Sequence, residues 1–257
     1  MAENQYGFPT EVLSLPSKGL LYPEDSPLRS GTIDVKYMTA KEEDILTSTN
    51  LIQQGKVIER LLESVVANPQ VKMDDMLVGD RNALMVGTRI LGYGKDYLCS
   101  IIDPDTNEKV EINIDLTTLE HKKIDEKLFK NGNLFSFELP NSKRVVEFKL
   151  LTQNDENQIQ KNLKDYEKLT KITGVDKTLT TRLKYQIQSI DGDKDQKNID
   201  DFVENQFLAL DAKAFRVYRE SIEPDIILKY DYVSQAGGNH TIDIPLGVEF
   251  FWPAAGK

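Results

Sequence analysis

Few residues in this chain are equipped for chemistry, and spacing decides how far each can be taken. The single cysteine, Cys99, sits in an apolar run with Tyr97, Leu98 and Ile101, and no histidine lies near it in sequence. A reactive thiol needs an electropositive, exposed setting, so this context predicts a buried structural thiol. One cysteine and two histidines allow no intramolecular disulfide and no zinc centre built of Cys and His. Asp191, Asp193 and Asp195 have the opening spacing of a calcium loop. However, Gln196 stands where the sharp turn needs Gly, and Phe202 where a bidentate Glu is needed. Asp103, Asp105 and Asn107 fail in the same way, with Glu108 and Ile114 at those two places. Both clusters read as solvated turns. Gly92-Tyr93-Gly94 is a fragment of a dinucleotide fingerprint, but it lacks the third Gly and follows a helix rather than a strand. There is no phosphate loop and no nucleophile elbow. His121 and His240 lie in polar segments. Glu249, beside Phe250 and Phe251, is the one carboxylate whose neighbours could raise its pKa for general-acid work. Strand alternation would point it at solvent instead.

Composition sets the frame for these residues. The chain has 257 residues, 39% hydrophobic and 29% charged, with a net charge of −10. That length fits one large domain or two small ones, at roughly 100–200 residues each. The acidic balance argues against nonspecific binding to nucleic acid or to an anionic membrane. Basic residues are scattered, and His121-Lys122-Lys123 is the nearest thing to a patch. No apolar run is long enough to span a membrane. Met1-Ala2-Glu3-Asn4-Gln5 lacks the basic and apolar parts of a signal peptide, so a soluble protein that stays in a cytoplasm is expected.

The elements that would position these residues can be read from punctuation and period. Prolines at 9, 16, 23 and 27 and glycines at 7, 19 and 31 predict an extended N-terminal arm over 1–32. Its apolar residues Val12, Leu13, Leu15, Leu20, Leu21 and Tyr22 predict that the arm lies across a domain surface or a partner. A short strand is expected over Thr32–Tyr37, and Thr39 and Glu42 form a capping box for a helix from about Ala40 to Leu51. A second helix carries Val57, Ile58, Leu61, Leu62, Val65 and Val66. Asp80 is expected to cap a third, stopped by Gly92-Tyr93-Gly94. Hairpins are predicted at Tyr97–Ile102 with Val110–Ile114, at Leu134–Leu139 with Arg144–Leu150, and at Ile226–Val233 with Thr241–Ile244. Thr152 should cap a helix through Ile159, Leu163 and Tyr166. The spacing of Leu179, Leu183, Ile187 and Ile190 predicts another, and Ile199, Phe202, Val203 and Phe207 mark a short one. Asp211 is expected to cap a helix with Phe215, Tyr218 and Ile222 on one face.

Two stretches share one layout, which points to an internal repeat. Asp80 opens a helix, followed by a hairpin ending at Ile112, Ile114 and Leu116. Asp211 does the same, with a hairpin ending at Ile242, Ile244 and Leu246. The expected fold class is therefore α+β: helices with antiparallel β-hairpins in two related lobes, plus the extended N-terminal arm. The divisions are 1–32 for the arm, 33–125 for an N-terminal lobe, and 126–257 for a hairpin, the helical middle and a C-terminal lobe. The aromatic end Phe250-Phe251-Trp252-Pro253 either packs on the chain's own core or anchors a partner.

Three segments resemble the T4-type phage baseplate proteins, specifically the baseplate hub assembly family. They are Leu15-Pro-Ser-Lys-Gly-Leu20 with Tyr22-Pro23, Met38 to Ser48 continuing to Gly55-Lys-Val-Ile58, and Ile244 to Pro253. The helix with Asp211, Arg216 and Tyr218 is also similar to the family's helix before its last hairpin. The resemblance is weakest over roughly 125–208. It implies a non-enzymatic assembly factor or structural component of the baseplate hub, acting through protein–protein contacts and requiring no cofactor. The implied partners are other baseplate hub or tail proteins, with neither nucleic acid nor membrane, and with self-association inside the baseplate as a further case. The implied location is the host cytoplasm during assembly, or the virion tail if the subunit is retained. The residues expected to anchor a partner are Leu15, Pro16, Leu20, Leu21, Tyr22, Phe250, Phe251 and Trp252. The alternative function is a hub-associated peptidoglycan hydrolase using Glu249.

Some relatives carry zinc-knuckle-like turns of C-P-x-C-G or C-x-x-C-G form. The resemblance places Asp103, Thr106, Ser234 and Gly237 at the four cysteine positions. It therefore implies that this chain keeps both turns without their metal, held by hydrogen bonds and packing alone.

Overall fold

The computed structural model describes residues 7–252, apart from the side chains of residues 167–173. Met1–Gln5 and Pro253, on which the sequence expectations also drew, lie outside the described residues. The first element is β1 (Thr10–Ser14), which pairs antiparallel with β2 (Thr32–Lys36) from Thr10↔Lys36 to Ser14↔Thr32. Alternation in β2 buries Ile33 and Val35. The loop between the strands folds back on itself at Gly19 and Gly31, both at positive φ. A side chain on Gly19 would collide with the Arg29 carbonyl, and one on Gly31 would crowd the Lys18 carbonyl.

The segment read as an arm is therefore a strand and a packed loop. Leu15, Pro16, Leu21, Tyr22 and Leu28 are buried in the chain's own core, and Leu20 is half-buried. Phe250 and Phe251 are buried as well. The anchoring role expected of these buried residues gives way to a core role, because their surface is already buried within the chain; each fully buried Leu or Phe among them contributes about 1.5–3 kcal/mol. Trp252 alone of the eight is exposed, at 45%.

After β2 come α1 (Ala40–Thr47) and α2 (Thr49–Gln54). One helix was expected here, but Ser48 is extended and its Oγ accepts from the Leu51 N–H, starting α2 afresh. The capping box is formed: Glu42 Oε2 accepts from the Thr39 N–H at 2.9 Å and from Thr39 Oγ1 at 2.6 Å. Gly55 ends α2 in the left-handed region. α3 (Val57–Val65) buries Val57, Leu61, Leu62 and Val65. Val66 then bridges to Val35, and the Ala67 N–H donates to the Asp34 carbonyl, so the chain returns to β2 as a rudimentary third strand. α4 (Val78–Tyr93) ends at Gly94 and leads into the antiparallel pair β3 (Asp96–Ile102) and β4 (Lys109–Asp115).

The second half begins with β5 (Phe135–Glu138) and β6 (Val145–Phe148). α5 (Gln153–Thr173) follows, opened by a reciprocal cap. Asp155 Oδ2 accepts from the Thr152 N–H at 3.0 Å, and Thr152 Oγ1 accepts from the Asp155 N–H at 3.4 Å. α6 (Thr178–Gln186) stops short of its apolar pattern. Ile187 and Ile190, predicted as helical, lie instead in β7 (Ile187–Ile190), the third strand against β6. The free edge of β6 offers backbone partners, and β-branched side chains suit a buried pleat better than a helix end. α7 (Gln196–Asp201) continues into one π-helical turn, Phe202–Gln206. α8 (Ala209–Ile222), β8 (Lys229–Val233) and β9 (Asn239–Asp243) complete the fold, with a 3-10 turn at Val248–Phe251.

The fold is α+β, and its element order runs twice. Each half has a hairpin whose first strand leads into Leu-Pro: Leu15-Pro16 in the first, Leu139-Pro140 in the second. Each turn holds a lysine at positive φ, Lys18 at 52° and Lys143 at 59°. A Thr-capped helix follows in each, then a return to the sheet by Val66 or β7, then a helix whose third residue is a buried aspartate, then a hairpin. The shared layout read from Asp80 and Asp211 thus continues in the element order of nearly the whole described chain. The buried side chains form one continuous core from Leu15 to Phe251. Phe148 lies at the centre of its second half, edge-on to Phe215 at 4.9 Å and tilted against Phe135 at 5.5 Å.

Candidate interaction site

The chemistry-bearing residues are mostly committed to holding the fold. Cys99 lies half-exposed on β3, and burial pushes its thiol up, which keeps it in the unreactive form. In the 191–195 turn, Asp191 accepts from Arg144 Nε and from the Val145 N–H, both at 2.8 Å. Asp193 accepts from the Asp195 N–H and from Asn198, and Asp195 caps α7. Among the described residues no group of three or more His, Cys, Asp or Glu is arranged to hold a metal ion, and no helix is long and apolar enough to cross a membrane. Gly92-Tyr93-Gly94 is the end of α4, where Tyr93 stacks under Arg89 at 5.1 Å. Arg89 Nε donates to the Phe250 carbonyl at 3.0 Å, fastening the C-terminal segment to α4. Glu249 is exposed. His121 is exposed too, while His240 is half-buried.

Asp80 and Asp211 sit at the third residue of α4 and α8, where Leu77 and Leu208 hold the N-cap positions expected of them. Each reaches back to its own half's Leu-Pro turn. Asp80 accepts from the Ser17 N–H at 2.8 Å, from Ser17 Oγ at 2.6 Å and from Tyr22 OH at 2.6 Å. Tyr22 OH in turn accepts from the Leu77 N–H at 2.9 Å. Asp211 accepts from the Asn141 N–H and Nδ2, both at 2.8 Å, and from the Ser142 N–H at 3.0 Å. Burial pushes Asp80 up despite these bonds, whereas for Asp211 the Asn141 and Ser142 donors outweigh burial and hold it down. A helix N-terminus favours either carboxylate.

The two knuckle-like turns meet. Asp103 is fully buried between them. Its Oδ1 accepts from the N–H groups of Asp105 and Thr106 at 2.9 and 3.0 Å. Its Oδ2 crosses to the other turn, accepting from Tyr232 OH at 2.7 Å and from the Gln235 N–H at 3.0 Å. Burial by itself would raise Asp103, but these four donors hold it well below the usual carboxylate range. Tyr232 is pushed up to about 12, first by its bond to Asp103 and then by burial. Asp105 accepts from Ser234 Oγ, which holds it low, and its Oδ2 lies 3.0 Å from His240 Nε2. That is ion-pair distance when the ring is protonated, though off the line of an aligned hydrogen bond. Gly238 leaves room for this approach, because a side chain there would collide with Asp105 Oδ2.

The positions that the resemblance assigns to cysteines are thus gathered at one junction. Asp103, Thr106, Ser234 and Gly237 supply one carboxylate, two hydroxyls and no side chain, and both Asp103 oxygens are already filled by donors. This set does not fit zinc, which takes Cys and His in closed four-ligand sites. The arrangement is a hydrogen-bonded clasp between the two halves.

Exposed apolar side chains are scattered over several elements, Val12, Ile102 and Val233 among them, and the outer face of α8 gathers two of the most exposed. Leu210 is 68% exposed and Val217 60% exposed, with Ala214 between them on the same stripe. Phe137 and Tyr218 stack beside it with ring centroids 4.6 Å apart. These residues border one shallow apolar depression that also takes in Lys213. The stripe expected from the sequence, Phe215, Tyr218 and Ile222, is buried at Phe215 and Ile222 and half-buried at Tyr218. The spacing of Leu210, Ala214 and Val217 was the signal for a second apolar face.

A family model described as T4 bacteriophage base plate protein matches residues 14–252. No curated protein and no solved structure matches the chain.

Proposed function

The chain belongs to the T4 bacteriophage base plate protein family, and we propose that within the baseplate it is a non-enzymatic hub component or hub assembly factor acting by contact with other baseplate or tail proteins. The observation that carries this reading is the extent of the family match, which takes in both halves and the clasp between them. Two features support a contact role. The first is rigidity: Asp80, Asp103 and Asp211 fasten the body of the chain internally, so its surface is presented in one geometry and docking costs little ordering. The second is exposed apolar surface that the core does not use, including the stripe on α8 and Trp252. Trp252 follows two buried phenylalanines and is itself 45% exposed, and a large exposed aromatic suits an interface anchor.

The test is recovery of the tagged full chain from cells during phage assembly. Co-sedimentation with baseplate proteins is the expected result, and sedimentation free of all of them overturns the reading. Peptide mass spectrometry of finished virions then separates a retained subunit, which is present, from an assembly factor, which is not.

A further inference from the structure

The repeat says what an open helix face is for. Counting from Asp80 and Asp211, α4 and α8 correspond position by position: Gly79 with Leu210, Asn82 with Lys213, Ala83 with Ala214, Val86 with Val217. On α4 this face is covered, and Ala83 and Val86 are buried. The cover at its N-terminal end is the segment Pro224-Asp225 of the second half. The Pro224 carbonyl lies so close over Gly79 that any side chain there would collide with it. Asn82 Nδ2 donates to Asp225 Oδ1 at 3.1 Å. On α8 none of the described residues covers the same face, and Leu210 and Val217 are 68% and 60% exposed.

Resting on the baseplate reading above, we propose that the α8 face is the docking site for an extended segment of another baseplate protein that carries a carboxylate beside an apolar residue. The chemistry follows from the two substitutions between the helices. Lys213 stands where Asn82 receives a carboxylate, and among the described residues it has no hydrogen-bond or ion-pair partner, so an acidic group completes it. Leu210 stands where Gly79 admits bare backbone. The occupant is thereby held further from the helix and must fill the space with an apolar side chain against Leu210 and Val217. The contact between the halves is heterologous: the segment after α8 covers α4, while the segment after α4 does not cover α8. Such an interface leaves one face open for the next body in an assembly.

The full chain with benzoylphenylalanine at position 217 is supplied during infection, assembled baseplates are irradiated, and crosslinked peptides are identified by mass spectrometry. The expected product is one peptide of a different baseplate protein with Asp or Glu next to an apolar residue. Lys213→Glu should cut that product about tenfold, and changing the partner's carboxylate to Lys should restore it, as for a close charge pair. Positions 213 and 217 both lie on an exposed helix face, and an unchanged melting temperature checks that the fold is kept. Crosslinking to a second copy of this chain, to a peptide without a carboxylate, or to nothing in baseplates that do contain the protein overturns the proposal while leaving its parent reading intact. Absence of the protein from baseplates and their assembly intermediates overturns both.

Discussion

Tyr232 and Asp103 are 129 residues apart in sequence and joined by a hydrogen bond of 2.7 Å. The phenol stands on the last hairpin and the carboxylate on the hairpin of the first half, so this bond, with those from the Gln235 N–H to Asp103 and from Ser234 Oγ to Asp105, couples the two halves at their far turns. Asp103 is fully buried and depends on donors from both turns. Losing either turn's geometry therefore leaves a buried charge short of partners.

Tyr232→Phe removes one of four donors to Asp103 and keeps the ring. The melting temperature should fall by roughly 3–8 °C for a lost bond to a charged group in a chain of this size. An unchanged melting temperature would show that the Tyr232–Asp103 bond contributes nothing to stability.

Acid should open the clasp. Asp103, Asp105 and Asp211 are all held below the ordinary carboxylate value. Stability from a depressed carboxylate is present above its unfolded pKa of about 3.9 and is lost as pH falls through the folded value. Urea midpoints should therefore decline below about pH 4. Asp103→Asn should lower the midpoint at pH 7 and make the acid decline shallower. An equal decline in both proteins would remove Asp103 from the account.

Asp80→Ala strands the buried Ser17 and Tyr22 donors and should cost about 2–4 kcal/mol in urea denaturation at pH 7. Asp80 itself works with the opposite pH sign: burial raises it, so it costs stability as pH rises from about 4 through its folded value. Deleting residues 1–22 removes β1 and Tyr22 together. It should yield an unfolded or insoluble chain, and a folded, soluble remainder would contradict the packing described for this segment.

Zinc should be without effect. A zinc site at a hundredfold excess of metal over its Kd would add about 2.7 kcal/mol of stability. Asp103, Thr106, Ser234 and Gly237 form no such site, so neither added zinc nor a chelator should move the melting temperature or the sedimentation profile. A zinc-dependent rise in melting temperature that disappears in Asp103→Asn would overturn this reading of the junction.

Much of the fold is written locally. The Thr39–Glu42 box, the hairpin turn after Ile102, the apolar stripe of α3 and the stop at Gly55 depend on residues within a few positions of one another, and all were readable in order. The paired layouts from Asp80 and Asp211 were readable too, because helix, turn and strand each leave their own period. The rest of the repeat was partly visible in Leu15-Pro16 and Leu139-Pro140, but the first pair sits in a segment so rich in proline and glycine that it reads as an arm.

The sequence by itself determined the α+β class, the hairpins, the shared layout of its best-patterned parts and a supply of Cys and His too small for a zinc centre of those residues. Those follow from local periodicity and from which side chains exist at all. Tertiary structure alone decided where long-range partners prevail over local preference. Ile187 and Ile190 leave a helical spacing because β6 presents a free edge. Asp80 and Asp211 are drawn from capping into buried bonds with loops 63 and 70 residues away. The apparent arm becomes core because Ile33 and Asp80 wait for it. The open face of α8 is likewise a tertiary fact, since only the matching face of α4, covered by Pro224 and Asp225, reveals that anything is missing.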